Sequence, residues 1–155
     1  MLIEIKVNGK RIKEDIPCDL LLIDFLRNHG YMSVKRGCET SNCGLCTVLM
    51  DGKPILSCSM LCARASSHEI TTLEGLQEEA KEFAEFMAKE GAEQCGFCAP
   101  GFMMNVLAMK KELVNPSQEE IKAYLANNLC RCSGYMGQLR AIEKYLKAGA
   151  KHEAY

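Results

Sequence analysis

Two hydrophobic periods divide the chain. Over Leu2-Ile3-Glu4-Ile5-Lys6-Val7, apolar Ile3, Ile5 and Val7 alternate with polar residues and so share one face of a strand. Asn8-Gly9 follows, the strongest two-residue signal for a type I′ hairpin, and Lys10-Arg11-Ile12-Lys13 forms the return strand. From Leu20 to His29 the pattern becomes helical, with Leu22, Ile23 and Leu26 on one face, Asp19 as the expected N-cap and Gly30 as the stop. Thr47-Val48-Leu49-Met50, Asp51-Gly52 and Pro54 to Cys58 predict a second hairpin, and β-branched Ile70-Thr71-Thr72-Leu73 predicts a strand that closes the sheet.

After Glu74-Gly75 the period changes from two to 3.6. Leu76, Ala80, Phe83 and Met87 recur at helical spacing up to Gly91. A second helix starts at Pro100, where a missing N–H costs nothing, carries Phe102, Met103, Val106 and Leu107, and ends before Asn115-Pro116. Ser117 and Glu120 form a capping box ahead of Ile121, Tyr124 and Leu125, and a last helix carries Leu139, Ile142 and Leu146 to about Gly149. A hairpin followed by a crossing helix opens a β-grasp unit. The expected class is therefore α+β, with a β-grasp domain over residues 1–75 and a four-helix domain over residues 76–155.

Composition narrows the chemistry. Nineteen basic and 20 acidic residues leave a net charge of −1, which draws the chain toward neither nucleic acid nor an anionic membrane. Met1 to Lys13 lacks the central apolar run of a signal peptide, and no stretch approaches the ~18 apolar residues of a membrane span, so a cytoplasmic protein is expected. In a reducing cytosol, ten cysteines with eight clustered in two groups favour metal over disulfides.

The first group is Cys38, Cys43 and Cys46, spaced Cys-x4-Cys-x2-Cys, with Cys58 following, which is the plant-type [2Fe-2S] pattern. Gly37 and Gly44 suit a loop that wraps a cluster closely, and the second hairpin returns Cys58 to that loop. A zinc site, or four unrelated buried thiols, is the alternative. The second group pairs Cys95-x2-Cys98 with Cys130-x-Cys132. Two such pincers supply four thiolates, and the Cys-x-Cys pair is too tight for a typical zinc knuckle. Iron–sulfur ligation is favoured, with Cys98 at a helix N-terminus where the dipole favours thiolate.

These motifs, Gly37-Cys38 through Cys46-Thr47 with Cys58, Gln94-Cys95-Gly96-Phe97-Cys98, Pro100-Gly101, and Asn128-Leu129-Cys130-Arg131-Cys132 with Gly134-Tyr135, resemble the small iron–sulfur subunit of the xanthine dehydrogenase and aldehyde oxidoreductase family of molybdenum hydroxylases. The resemblance covers nearly the whole chain. It implies one [2Fe-2S] cluster on Cys38, Cys43, Cys46 and Cys58 and another on Cys95, Cys98, Cys130 and Cys132. It also implies a large partner subunit with molybdenum and molybdopterin, a medium one with FAD, and a dimer of heterotrimers. Electrons would pass from molybdenum through the helical-domain cluster and the β-grasp cluster to flavin, with no substrate-converting site in this chain. The segment around Gln94-Cys95 and Cys132 borders the pterin in the family, which makes Gln94 and Cys132 the cofactor-binding candidates. On family frequency the substrate is a purine or other N-heterocycle, then an aldehyde or an aromatic acyl thioester as in 4-hydroxybenzoyl-CoA reductase.

Departures from the family pattern are Leu45 for a commonly small residue, Arg36 for a common acidic one, and Ala99 and Ser133 where threonine is frequent. Arg36 is either a solvated loop charge or one that tunes the first cluster or its flavin-side contact. Cys18 and Cys62 read as buried small hydrophobes, Met103, Met104 and Met109 as packing, and His29, His68 and His152 follow no metal-ligand spacing. A free-standing ferredoxin-like carrier would suit the first half alone and leaves the helical half without a purpose. A structural zinc protein is the third class, distinguished by its lack of colour.

Overall fold

The computed structural model describes residues 1–149, so His152 lies outside the described residues. Both predicted hairpins form: β1 (Leu2–Val7) pairs antiparallel with β2 (Lys10–Asp15), and β3 (Thr47–Met50) with β4 (Lys53–Leu56). Each turns on a residue pair at positive φ, Asn8 at 48° and Gly9 at 80°, Asp51 at 50° and Gly52 at 83°, as a type I′ turn requires. A third strand, β5 (Glu69–Thr71), runs parallel to β1 and antiparallel to β3, giving the order β2-β1-β5-β3-β4. The strand expected to close the sheet thus sits at its centre.

Helix α1 (Leu22–Asn28) lies across one face and buries Leu22, Ile23, Phe25 and Leu26 against Ile3, Ile5, Val7, Val48 and Ile70. Burial of each such side chain is worth about 1.5–3 kcal/mol. The outer strand β2 is charged and almost wholly exposed, which keeps the sheet edge from pairing with another chain. Asp19 does not cap α1. The N-cap is Leu21, whose aliphatic side chain has no acceptor for a cap bond, and its backbone bridges to Leu61.

The second lobe comprises α2 (Gln77–Lys89), α3 (Ala99–Glu112), α4 (Gln118–Tyr124) and α5 (Met136–Gly149), around a core of Phe83, Met87, Phe102, Val106, Ile121, Leu139, Ile142 and Tyr145. The capping box at α4 is present in both directions between Ser117 and Glu120. Helix α3 is buried on nearly all sides rather than along one stripe. The reason is its position: one side faces the helical core, and Met104 and Ala108 pack on Leu49 of β3. No helix among the described residues is long and apolar enough to cross a membrane.

Candidate metal centres

Cys38, Cys43 and Cys46 lie on the loop between α1 and β3. Cys58 lies in the short 3-10 turn Ser57–Ser59 directly after β4. That turn is tied back to the loop, since Ser57 donates to the Cys46 carbonyl from its N–H at 3.3 Å and its Oγ at 2.7 Å. Glu39 and Ser41 take positive φ, 55° and 61°, and the alternation turns successive N–H groups inward. Thr40 and Asn42 thereby donate to Cys38 Sγ at 3.5 and 3.4 Å. These two bonds bring the Cys38 thiol down to about 6, while burial beside Cys58 pushes Cys46 up to about 12.

In the second lobe Cys98 is the N-cap of α3, and Cys130 and Cys132 lie in the turn before α5. Cys132 and Cys95 are in direct contact, Sγ to Sγ 3.6 Å. Burial acts to raise Cys130, but hydrogen bonds from Ser133 and Cys132 outweigh it and leave the thiol at about 7. Burial beside Cys130 pushes the Cys98 thiol up to about 12. Tyr135, at φ 68°, accepts from the Cys130 N–H at 3.1 Å and pins this turn.

The eight thiols meet in pairs: Cys38 with Cys43, Cys46 with Cys58, Cys95 with Cys132, and Cys98 with Cys130. Among the described residues no three such ligands close on one point, as they would around a single ion. Cys38, Cys43, Cys46 and Cys58 at one site, and Cys95, Cys98, Cys130 and Cys132 at the other, would each supply the four thiolates that a [2Fe-2S] cluster takes from its protein. The donor set fits that group.

The two centres are joined by backbone. The Leu129 N–H, next to Cys130, donates to the Cys43 carbonyl at 3.0 Å. Gly44, at φ 73°, and Gly101 make this approach possible: a Cβ on Gly44 would stand 2.6 Å from the Asn127 carbonyl oxygen, and one on Gly101 2.3 Å from the Gly44 oxygen. Buried Asn105 completes the joint, its Nδ2 donating to Thr47 Oγ1 at 3.0 Å and to Asn128 Oδ1 at 2.9 Å.

Comparison with known proteins finds two family models on the chain. Residues 5–83 match the 2Fe-2S iron-sulfur cluster binding domain and residues 72–143 the [2Fe-2S] binding domain. The xanthine dehydrogenase iron-sulfur-binding subunit of Escherichia coli O157:H7 is 44% identical over 86% of both chains. The chain belongs to the small iron–sulfur subunits of the molybdenum hydroxylases. The nicotinate dehydrogenase small FeS subunit of Eubacterium barkeri is 36% identical over 92% of each chain. The structure of quinoline 2-oxidoreductase from Pseudomonas putida 86 superposes with a TM-score of 0.89 at 34% identity, covering 99% of this subunit and 97% of that chain.

In the subunit Gln94 is exposed beside Cys95 and donates from Nε2 to the Gly91 carbonyl at 3.3 Å. Arg36 is no free charge, being paired with Asp24 of α1 and with Glu39 of the cysteine loop. Cys62 is fully buried, but Cys18 is exposed, contrary to expectation, because it lies in the open turn ahead of α1. His29 and His68 pair with Glu14 and Asp51, away from both centres. Buried polar Asn105 and Gln138 at the centres follow no ligand spacing and were not singled out in the sequence, where Asn128 stood only as part of the second cysteine motif. Their signal was a polar residue in an apolar run, visible at Asn105 between Met104 and Val106.

Proposed function

We propose that this electron-transfer subunit links a molybdopterin-binding large subunit to an FAD-binding medium subunit in a dimer of heterotrimers. The observation that carries this reading is the arrangement of eight cysteines as two sets of paired thiols joined by one backbone hydrogen bond. We divide the chain at Gly75 and assign Cys38, Cys43, Cys46 and Cys58 to a cluster of the first lobe and Cys95, Cys98, Cys130 and Cys132 to one of the second. When bound, such clusters take up and release single electrons.

The protein orients the two ends. Gln94, Cys95 and Cys132 are exposed on one lobe, and residues 39–42 on the other. Gln94 is the residue we assign to a hydrogen bond with the partner's pterin, with Cys132 beside it. Between the centres is a cleft of about 440 Å³ with Phe97, Leu129 and Tyr135 all roughly half exposed, an apolar surface suited to burial by a partner subunit. N–H groups aimed at Cys38 and Cys130 stabilise sulfur charge and so raise a cluster's potential.

For the substrate we infer a purine or other N-heterocycle, chosen by the large subunit. Relatives named for xanthine, nicotinate and quinoline support that class. The decisive experiment is Cys132→Ser in the assembled complex. Substrate should still reduce molybdenum, while substrate-dependent flavin reduction is lost. Flavin reduction that survives loss of the second-lobe cluster overturns the order.

A further inference from the structure

Gln138 occupies the first turn of α5 and is only 4% exposed. Among the described residues its side chain has no hydrogen-bond partner, although every side-chain nitrogen or oxygen fully sealed from solvent has one. Its amide therefore opens into a gap. The residue lines two small cavities, one with Cys43, Cys98 and Cys130 and one with all four second-lobe cysteines. It also borders a larger cleft lined mainly by apolar residues such as Ile121, Leu125 and Ile142, with Lys122, Asn128 and Tyr135 as its polar members. The backbone here has little freedom, because a Cβ on neighbouring Gly137 would already stand 3.2 Å from Ala92 Cβ.

An amide placed there meets concentrated negative charge. Two ferric ions, two sulfides and four thiolates sum to minus two, and to minus three after uptake of one electron. The backbone N–H groups of Cys132 and Ser133 already serve Cys130. Gln138, which lines the same cavities, is placed to add a side-chain donor.

We propose that Gln138 donates its side-chain N–H to the sulfur of the second-lobe [2Fe-2S] cluster and raises its reduction potential. The proposal rests on the cluster assignment above. A donor binds the more charged, reduced cluster more strongly, so removing it disfavours reduction. The residue tunes the cluster and is not one of its ligands.

The test is a redox titration of the full-length, cluster-loaded chain followed by electron paramagnetic resonance. The second-lobe signal is identified as the one retained in Cys43→Ser. In Gln138→Leu, at fixed solution potential, the reduced-to-oxidised ratio of that cluster should fall about tenfold, or ~59 mV for one electron. The first-lobe signal should not move. Gln138→Glu, which adds a negative charge at equal size, should lower it further. With the glutamine amide nitrogen isotope-labelled, the wild-type second-lobe signal should show a hyperfine coupling that Gln138→Leu lacks, a readout that packing alone would not produce. A wild-type second-lobe signal with no labelled coupling and an unmoved potential in both variants overturns the proposal. Absence of any second-lobe signal in the wild type overturns the cluster assignment, and the proposal with it.

Discussion

The Cys43 carbonyl and the Leu129 N–H form a hydrogen bond of 3.0 Å that ties the cysteine loop of one lobe to the cysteine turn of the other. Neither side chain takes part. The side chain of Cys43 is therefore free to serve a metal while its backbone holds the lobes in register. This contact is reached only because Gly44 and Gly101 let three backbone segments approach without a Cβ between them.

Because that link is backbone, Cys43→Ser should remove one cluster and spare the other. A serine hydroxyl resists deprotonation and is a poorer iron ligand than thiolate. Spin counting after full reduction should fall from two spin-one-half species per chain to one, with four irons in the wild type. Loss of both signals would show that the lobes do not hold metal independently.

Gly101→Ala places a methyl group 2.3 Å from the Gly44 oxygen and 2.9 Å from Leu45 Cα, both backbone atoms that cannot swing aside. Overpacking of this kind costs about 1–3 kcal/mol, and more where backbone must move. Gly52→Ala is the comparison: its φ of 83° disfavours a side chain, but nothing stands within 4 Å, so about 1 kcal/mol is expected. Thermal unfolding of the two variants side by side should rank Gly101→Ala lower.

What was legible in the sequence were features with local causes. Asn8-Gly9 and Asp51-Gly52 dictate their turns whatever surrounds them, and the Ser117 capping box is complete within four residues. Asp19 fits the local rule for an N-cap, yet the bridge between Leu21 and Leu61 sets where α1 begins. The apolar residues of α3 were visible in its sequence, but spacing alone cannot show that a sheet lies on one side and a bundle on the other. Cysteine spacing brought out all eight thiols, whereas Gln138 carries no spacing signal and becomes visible only in the lining of a cavity that it shares with four of them.

Glu74 should give the fold an acid-sensitive latch. Its carboxylate accepts from the Ser33 N–H at 2.8 Å, from Ser33 Oγ at 2.5 Å and from Thr72 Oγ1 at 2.5 Å, which ties the loop after α1 to the end of β5. Burial opposes the charge, but these donors outweigh it and hold the carboxyl below its usual 4.5. A folded value below the unfolded one means that the stabilisation is complete above 4.5 and is lost as pH falls through the lower, folded value. The melting-temperature gap between wild type and Glu74→Gln should be widest near neutral pH and narrow below about pH 4.5. A gap constant across that range would contradict the latch.

Asn105→Leu tests the joint itself. The two side chains have the same number and branching of heavy atoms and leucine is the bulkier, so the substitution removes hydrogen bonds without opening a cavity. In the wild type the Asn105 amide donates to Thr47 Oγ1, Asn128 Oδ1 and, at 3.3 Å, the Gly101 carbonyl, all in a buried site. Thr47 keeps its 2.7 Å bond to the Gly44 carbonyl in the variant, and Asn128 Oδ1 is the acceptor left short of a donor. A buried polar group deprived of its partner costs about 1–3 kcal/mol. Chemical denaturation should therefore find Asn105→Leu less stable by about that amount, with Asn105→Asp worse, because a carboxylate would face three acceptors. If Asn105→Leu unfolds at the wild-type midpoint, apolar packing of Met104 and Ala108 on Leu49 suffices to hold the lobes, and the polar joint contributes nothing measurable.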